Sequence, residues 1–205
     1  MTPMADDFKE TPSQTAGPFV HIGLAPGAAG FDIYEAELGH DIAGPHAQGE
    51  RIRVEGIVFD GDGEPIKDVM IEVWQANAQG HYATRGNNLV EQGFRGWGRV
   101  IPDFETGEWA FETVKPGGVA RHDDRQQAPH MALWLVARGM NVGLHTRLYF
   151  DDEAAANAVD PVLHHLKLQG RDHTLIAARR PVGGIATYRF DIHLQGQDET
   201  VFFDV

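Results

Sequence analysis

The stretch Pro129–Arg138, PHMALWLVAR, carries side chains able to do chemistry at both ends: an imidazole at its start and a guanidinium at its finish. Read as a β-strand, it puts His130, Ala132, Trp134, Val136 and Arg138 on one face, because successive side chains point to opposite sides. A metal site on such a face needs a second donor two residues after His130, and position 132 is alanine. Other histidines offer little. His164 and His165 are neighbours in a helical stretch and diverge by about a hundred degrees. Asp191 and His193 share a predicted strand face with no further donor. There is no GxSxG, no HExxH and no Walker loop. The residues alone do not support an independent metal site.

Composition narrows the classes. The chain has 205 residues, 42% hydrophobic and 23% charged, with no apolar run long enough to span a bilayer. Its formal net charge is −13, with 30 acidic against 17 basic residues, and no basic tract; a nucleic-acid role is therefore excluded as the leading reading. The absence of cysteine excludes disulfides, thiol nucleophiles and thiolate-held metals. The acidic start MTPMADDFKE has no apolar h-region, so a cytoplasmic location is expected.

The 24 glycines and 11 prolines are spread through the chain and favour short strands joined by turns. Arg51–Phe59 alternates as a half-buried strand, with Ile52, Val54 and Val58 on one side. Further strands are predicted at Val69–Trp74, Trp109–Val114, Pro129–Arg138, Leu144–Phe150, His173–Arg179, Ala186–Leu194 and Thr200–Asp204. The piece DIYEAELGHD is read as a turn or two of helix. DDEAAANAVDPVLHHL reads as one short helix interrupted at Pro161, with Asp151 and Asp152 as possible N-caps. FRGWGR is read as close backbone packing under Trp97. Residues 1–18 are extended and turn-rich, either a free leader or an arm docked through Phe19, Val20, Ile22 and Leu24. The sum is an all-β chain, one antiparallel β-sandwich domain over 1–205 with long loops and one or two short helices.

The order of these pieces is more specific than any one of them. A strand ending in WQAN leads to a Gly-x-Tyr turn, then GWGR, a hairpin closing on KPGG, a Pro-His-led apolar strand and a strand ending LYFDDE. This order resembles the intradiol ring-cleaving dioxygenases over roughly residues 50–155. The arm TPSQTAGPFVHIG and the tail RFDIHLQGQDETVFFD extend it over almost the whole length, and narrow it to the α chains of two-chain members of the family.

The resemblance implies a ferric site built from two tyrosines and two histidines. Its four positions map to Tyr82, Val119, His130 and Ala132, so two donors are missing and no metal is expected in this chain. The iron, Fe(III), would be held by a homologous β chain, and the isolated chain is expected to be inactive. The reaction implied is O2-dependent cleavage of 3,4-dihydroxybenzoate (protocatechuate) to 3-carboxy-cis,cis-muconate, in an αβ assembly of higher order. Residues 1–24 would dock at the partner interface, and Thr15, Gly17, Pro18 and Arg138 would line the substrate cavity there. A fixed guanidinium would offset the chain's negative charge toward an anionic substrate. Two other readings stand beside this one: a self-sufficient enzyme using substitute ligands, and a non-catalytic β-sandwich binding or scaffold protein.

Overall fold

The structure, a computed structural model, describes residues 14–17, 19–35, 37–121, 125–180 and 184–204. Its spine is β1, Arg51–Phe59, whose residues alternate between buried and part-exposed. Ile52, Val54 and Val58 are fully buried, each contributing roughly 1.5–3 kcal/mol of apolar burial. Around it run β2 (Met70–Gln75), β3 (Trp97–Val100), β4 (Glu108–Val114), a small pair β5 (Val119–Ala120) and β6 (Gln126–Gln127), β7 (His130–Val136), β8 (Leu144–Phe150), β9 (Ile176–Arg180), β10 (Ala186–Arg189) and β11 (Ile192–His193).

The main sheet has the order β11-β1-β10-β9-β8-β7-β2-β3, with β4 also on β1. It closes on itself so that β3 and β4 come into contact. The core lies between the two halves, where Ile52, Val54 and Trp109 meet Ile71, Val73, Leu133, Leu135 and Phe150. Most neighbours are antiparallel; β1 with β10, β1 with β11, and β8 with β9 are parallel. Among the described residues, three short α-helices complete it: α1 (Phe19–Leu24), α2 (Ala154–Val159) and α3 (Pro161–Lys167). Among the described residues no helix is long and apolar enough to cross a membrane.

Several local expectations need correction. Asp151 and Asp152 cap no helix: Asp151 accepts from the Arg179 backbone N–H, and Asp152 from Lys115 and the Tyr188 hydroxyl. The cap is Asp160, which accepts from Val162 and Leu163 at the start of α3, with Pro161 in the first turn. The predicted strand His173–Arg179 begins as a 3-10 turn, Asp172–Leu175, and becomes β9 only at Ile176. Ala186–Leu194 splits into β10 and β11 because the Asp191 carboxylate takes the Ile57 N–H at 2.9 Å. Thr200–Asp204 forms only an isolated bridge between Phe203 and His145. The described part of 32–41 contains turns and no helix. FRGWGR does pack closely, since a Cβ on Gly98 would meet Ile42 and the Gly39 carbonyl, but it also supplies β3.

Candidate functional site

Two groups of predicted site residues lie near the two ends of β7, one at its first residue, His130, and one around Arg138, two residues past its last. Met131, Leu133 and Leu135 point into the core, which leaves His130, Ala132, Trp134 and Val136 on the other side. At the entrance, His130 is 2% exposed. Its Nδ1–H donates to the Ala128 carbonyl at 2.8 Å, which leaves Nε2 to accept from the Tyr82 hydroxyl at 3.3 Å. Burial, and next the positive charge of Arg147, push the imidazole down to about 4. The Tyr82 phenol is raised, chiefly by burial. Both groups are neutral near pH 7.

Tyr82 is held there by its loop. The Asn77 side chain accepts from the backbone N–H groups of Gln79 and His81, and the Asn77 carbonyl accepts from Gly80 and Gly117. Gly80 has φ +84°, and a Cβ there would collide with the Gly118 carbonyl, so glycine is required twice over. This contact sets the Tyr82 loop against the loop that leads to Val119.

Val119 and Ala132 fill the remaining two positions with carbon. Val119 is buried opposite Gln127 in the β5–β6 pair. Ala132 lies between Trp74 on β2 and Arg147 on β8. The Arg147 Nη1 donates to Gln127 Oε1 at 2.7 Å and to the Tyr149 hydroxyl at 3.2 Å. Tyr149, opposite His130, donates in turn to Asp160 Oδ1 at 3.4 Å, and burial pushes its phenol up to about 12. Asp160 is fully buried and also accepts the Ala128 N–H at 2.9 Å.

Arg138 lies roughly 26 Å from His130 along the strand, at about 3.3 Å per residue. Its side chain is 73% exposed and its Nε pairs with Asp68 at 3.2 Å. Thr15 and Gly17 are gathered beside it. Ala16 forms a parallel bridge with Arg138, and the Thr15 hydroxyl accepts from the Gly139 N–H at 2.6 Å. A Cβ on Gly17 would meet nothing within 4 Å, so nothing among the described residues demands glycine there. Pro18 lies outside the described residues. The described part of the arm is docked, but not through the apolar residues expected: Phe19, Ile22 and Leu24 stay exposed, and His21 is the residue α1 buries.

Between the two ends, a groove of about 570 Å³ runs over the outer face, lined by Glu72, Trp74, Trp97, Ala132, Trp134 and His145. Trp74 is 48% exposed, and the Arg99 guanidinium sits 4.9 Å from the Trp97 ring while pairing with Glu72.

Residues 33–196 match the family described as Dioxygenase. Over 195 residues the chain is 51% identical to the protocatechuate 3,4-dioxygenase alpha chain of Pseudomonas putida, covering 95% of this chain and 96% of that one. The chain belongs to the intradiol dioxygenase family. The beta chain of the Burkholderia cepacia protocatechuate 3,4-dioxygenase is a more distant relative of this intradiol dioxygenase chain, 32% identical over 74% of this chain and 67% of its own length. A solved dioxygenase domain from Streptomyces sp. SirexAA-E shares the fold, with a TM-score of 0.56 at 22% identity over 91% of this chain and 99% of that one.

Intradiol dioxygenases use Fe(III), and the cluster of side chains at the β7 entrance does not fit that ion. Ferric iron is a hard, highly charged cation that needs several anionic or imidazole donors. The cluster offers one neutral phenol and one imidazole, two positions carry carbon, and a guanidinium stands beside them. The other nearby donors, Tyr149 and Asp160, are engaged with Arg147, with each other and with the α3 N-terminus. Among the described residues no group of three or more His, Asp or Glu is placed to hold a metal. Nothing in the sequence motifs singles out Arg147, Tyr149, Asp160 or Asp68. The alternation of LHTRLYF was there to show that Arg147 and Tyr149 share a face, but not that this face meets Ala132 and His130.

Proposed function

We propose that this chain is the iron-free α subunit of a protocatechuate 3,4-dioxygenase. A homologous β chain holds Fe(III) and the reaction takes place there, with both atoms of O2 entering 3-carboxy-cis,cis-muconate. This chain contributes Thr15, Gly17, Pro18 and Arg138 to the wall of the partner's substrate cavity, and its residues 1–24 dock at that interface. Supporting this is the contrast between the two ends of β7: two of the four positions matched to the family's ligands carry carbon at one end, while an exposed guanidinium stands beside an anchored arm past the other. A guanidinium offered in a chain of net charge −13 favours a carboxylated catechol over catechol itself.

The test is co-purification with a homologous β chain, followed by iron content and O2 uptake. Arg138→Ala should lower kcat/KM for 3,4-dihydroxybenzoate by about 10–100-fold, the loss of one charge-assisted hydrogen bond, and leave iron unchanged. Its effect on stability should stay within about 1 kcal/mol, because the Asp68 pair is solvent-exposed. Stoichiometric iron in the chain purified alone, or an inactive complex, overturns the reading.

A further inference from the structure

The cluster formed by Tyr82, Val119, His130 and Ala132 is short of donors, and a charge stands beside it. Arg147 sits directly opposite Ala132 in the β7–β8 register. Cβ atoms of directly opposed residues on one face lie about 4.5–5.5 Å apart, so a histidine at 132 would reach into the space the guanidinium occupies. The same guanidinium is tied to the neighbours of two other positions. Its Nη1 donates to Gln127, which is opposite Val119, and to Tyr149, which is opposite His130. Among the described residues no carboxylate forms an ion pair with Arg147; the buried Asp160 is reached only through the Tyr149 hydroxyl.

We infer that Arg147 closes this cluster of side chains to metal cations, its fixed charge occupying the place a bound ion would take. The inference rests on reading these four positions as a lost ligand set. Replacing the two missing donors is then not enough to regain a metal. A unit positive charge within a few ångströms of an incoming trivalent ion, in a half-buried setting, repels it strongly. Two features hold the guanidinium in place: the neutral acceptors Gln127 and Tyr149, and the Phe203 ring 5.9 Å from its central carbon.

The experiment uses the full chain in three forms: Val119→Tyr with Ala132→His, that pair with Arg147→Gln, and that pair with Arg147→Lys. Each is incubated with Fe(III), desalted, and assayed for bound iron and for the visible phenolate-to-iron band, with thermal melting as the check on folding. The expectation is iron below about 0.1 per chain in the pair and in the Lys form, and above about 0.5 in the Gln form, since only the Gln form removes the charge. Iron in the pair alone overturns the inference. So does equal loading of the Gln and Lys forms, which would make the fork geometry decisive instead of the charge, and so does an empty but folded Gln form. A second arm needs no new donors: Arg147→Gln alone, with Tyr82 and His130 intact, should bind Zn(II) at least about tenfold more tightly than wild type, and an unchanged affinity refutes the charge effect. Stoichiometric iron in the unaltered chain would instead defeat the assignment of the chain as the iron-free subunit, so the two failures are separable.

Discussion

Replacing Asp160 should damage this fold more than any exposed charge substitution. The carboxylate is fully buried, and its two oxygens serve four donors: Val162 and Leu163 at the start of α3, the Ala128 N–H and the Tyr149 hydroxyl. In Asp160→Ala, loss of the helix cap costs about 1 kcal/mol. The Ala128 N–H, left buried without an acceptor, adds about 1–3 kcal/mol, and the Tyr149 hydroxyl loses its acceptor too. The sum is roughly 3–5 kcal/mol. For a chain of this size that corresponds to a fall in melting temperature of about 10–15 °C. The assay is urea unfolding followed by circular dichroism, with the midpoint compared at constant slope. Asp160→Asn keeps one oxygen for the cap but turns an amide toward Ala128, so it should fall between the two. A loss below about 1 kcal/mol in Asp160→Ala would show that water or a shifted backbone replaces these bonds, and would refute the role given to the carboxylate.

Two further outcomes follow from the site geometry. His130 titrates near 4 in the folded chain and near 6.5 unfolded, so the unfolded state takes up the proton first; stability should be complete above about pH 6.5 and fall by up to about 3 kcal/mol as pH drops toward 4. Unfolding curves at pH 7 and pH 4.5 should show this loss in the wild type and a smaller one in His130→Gln, and equal losses in both would contradict the assignment. Thr15→Val removes the acceptor for Gly139 and should cost about 1 kcal/mol of arm docking, read as faster limited proteolysis between residues 14 and 24 and a raised KM in the complex. Thr15→Ser should behave as wild type in both assays.

How much was legible in the sequence depended on whether a residue's partner lay nearby along the chain. The bounds of β1 and β8 agree with expectation; for β1 the reason is alternation over a buried face, which is a local signal. The face-sharing of His130, Ala132 and Arg138 followed from the same period. The break at Asp191 was not legible, since the N–H its side chain captures belongs to Ile57, far away in sequence. The capping error has the same origin. Asp151 and Asp152 have the right type for N-caps, yet tertiary partners, Lys115, Tyr188 and Arg179, claim them first. At the site, the missing donors at Val119 and Ala132 were visible by comparison with a family pattern. The guanidinium that faces Ala132 was not, because it depends on strand register.

The arm at Thr15 has a further consequence for assembly. Its bridge to Arg138 and its bond from Gly139 form within one chain. In the proposed assembly these contacts would already be made before a second subunit arrives, leaving little conformational entropy at these residues to lose on association. A segment that had to fold onto its partner would begin each encounter from an ensemble of shapes. In the proposed assembly, this one would meet its partner with Thr15 and Arg138 already held together.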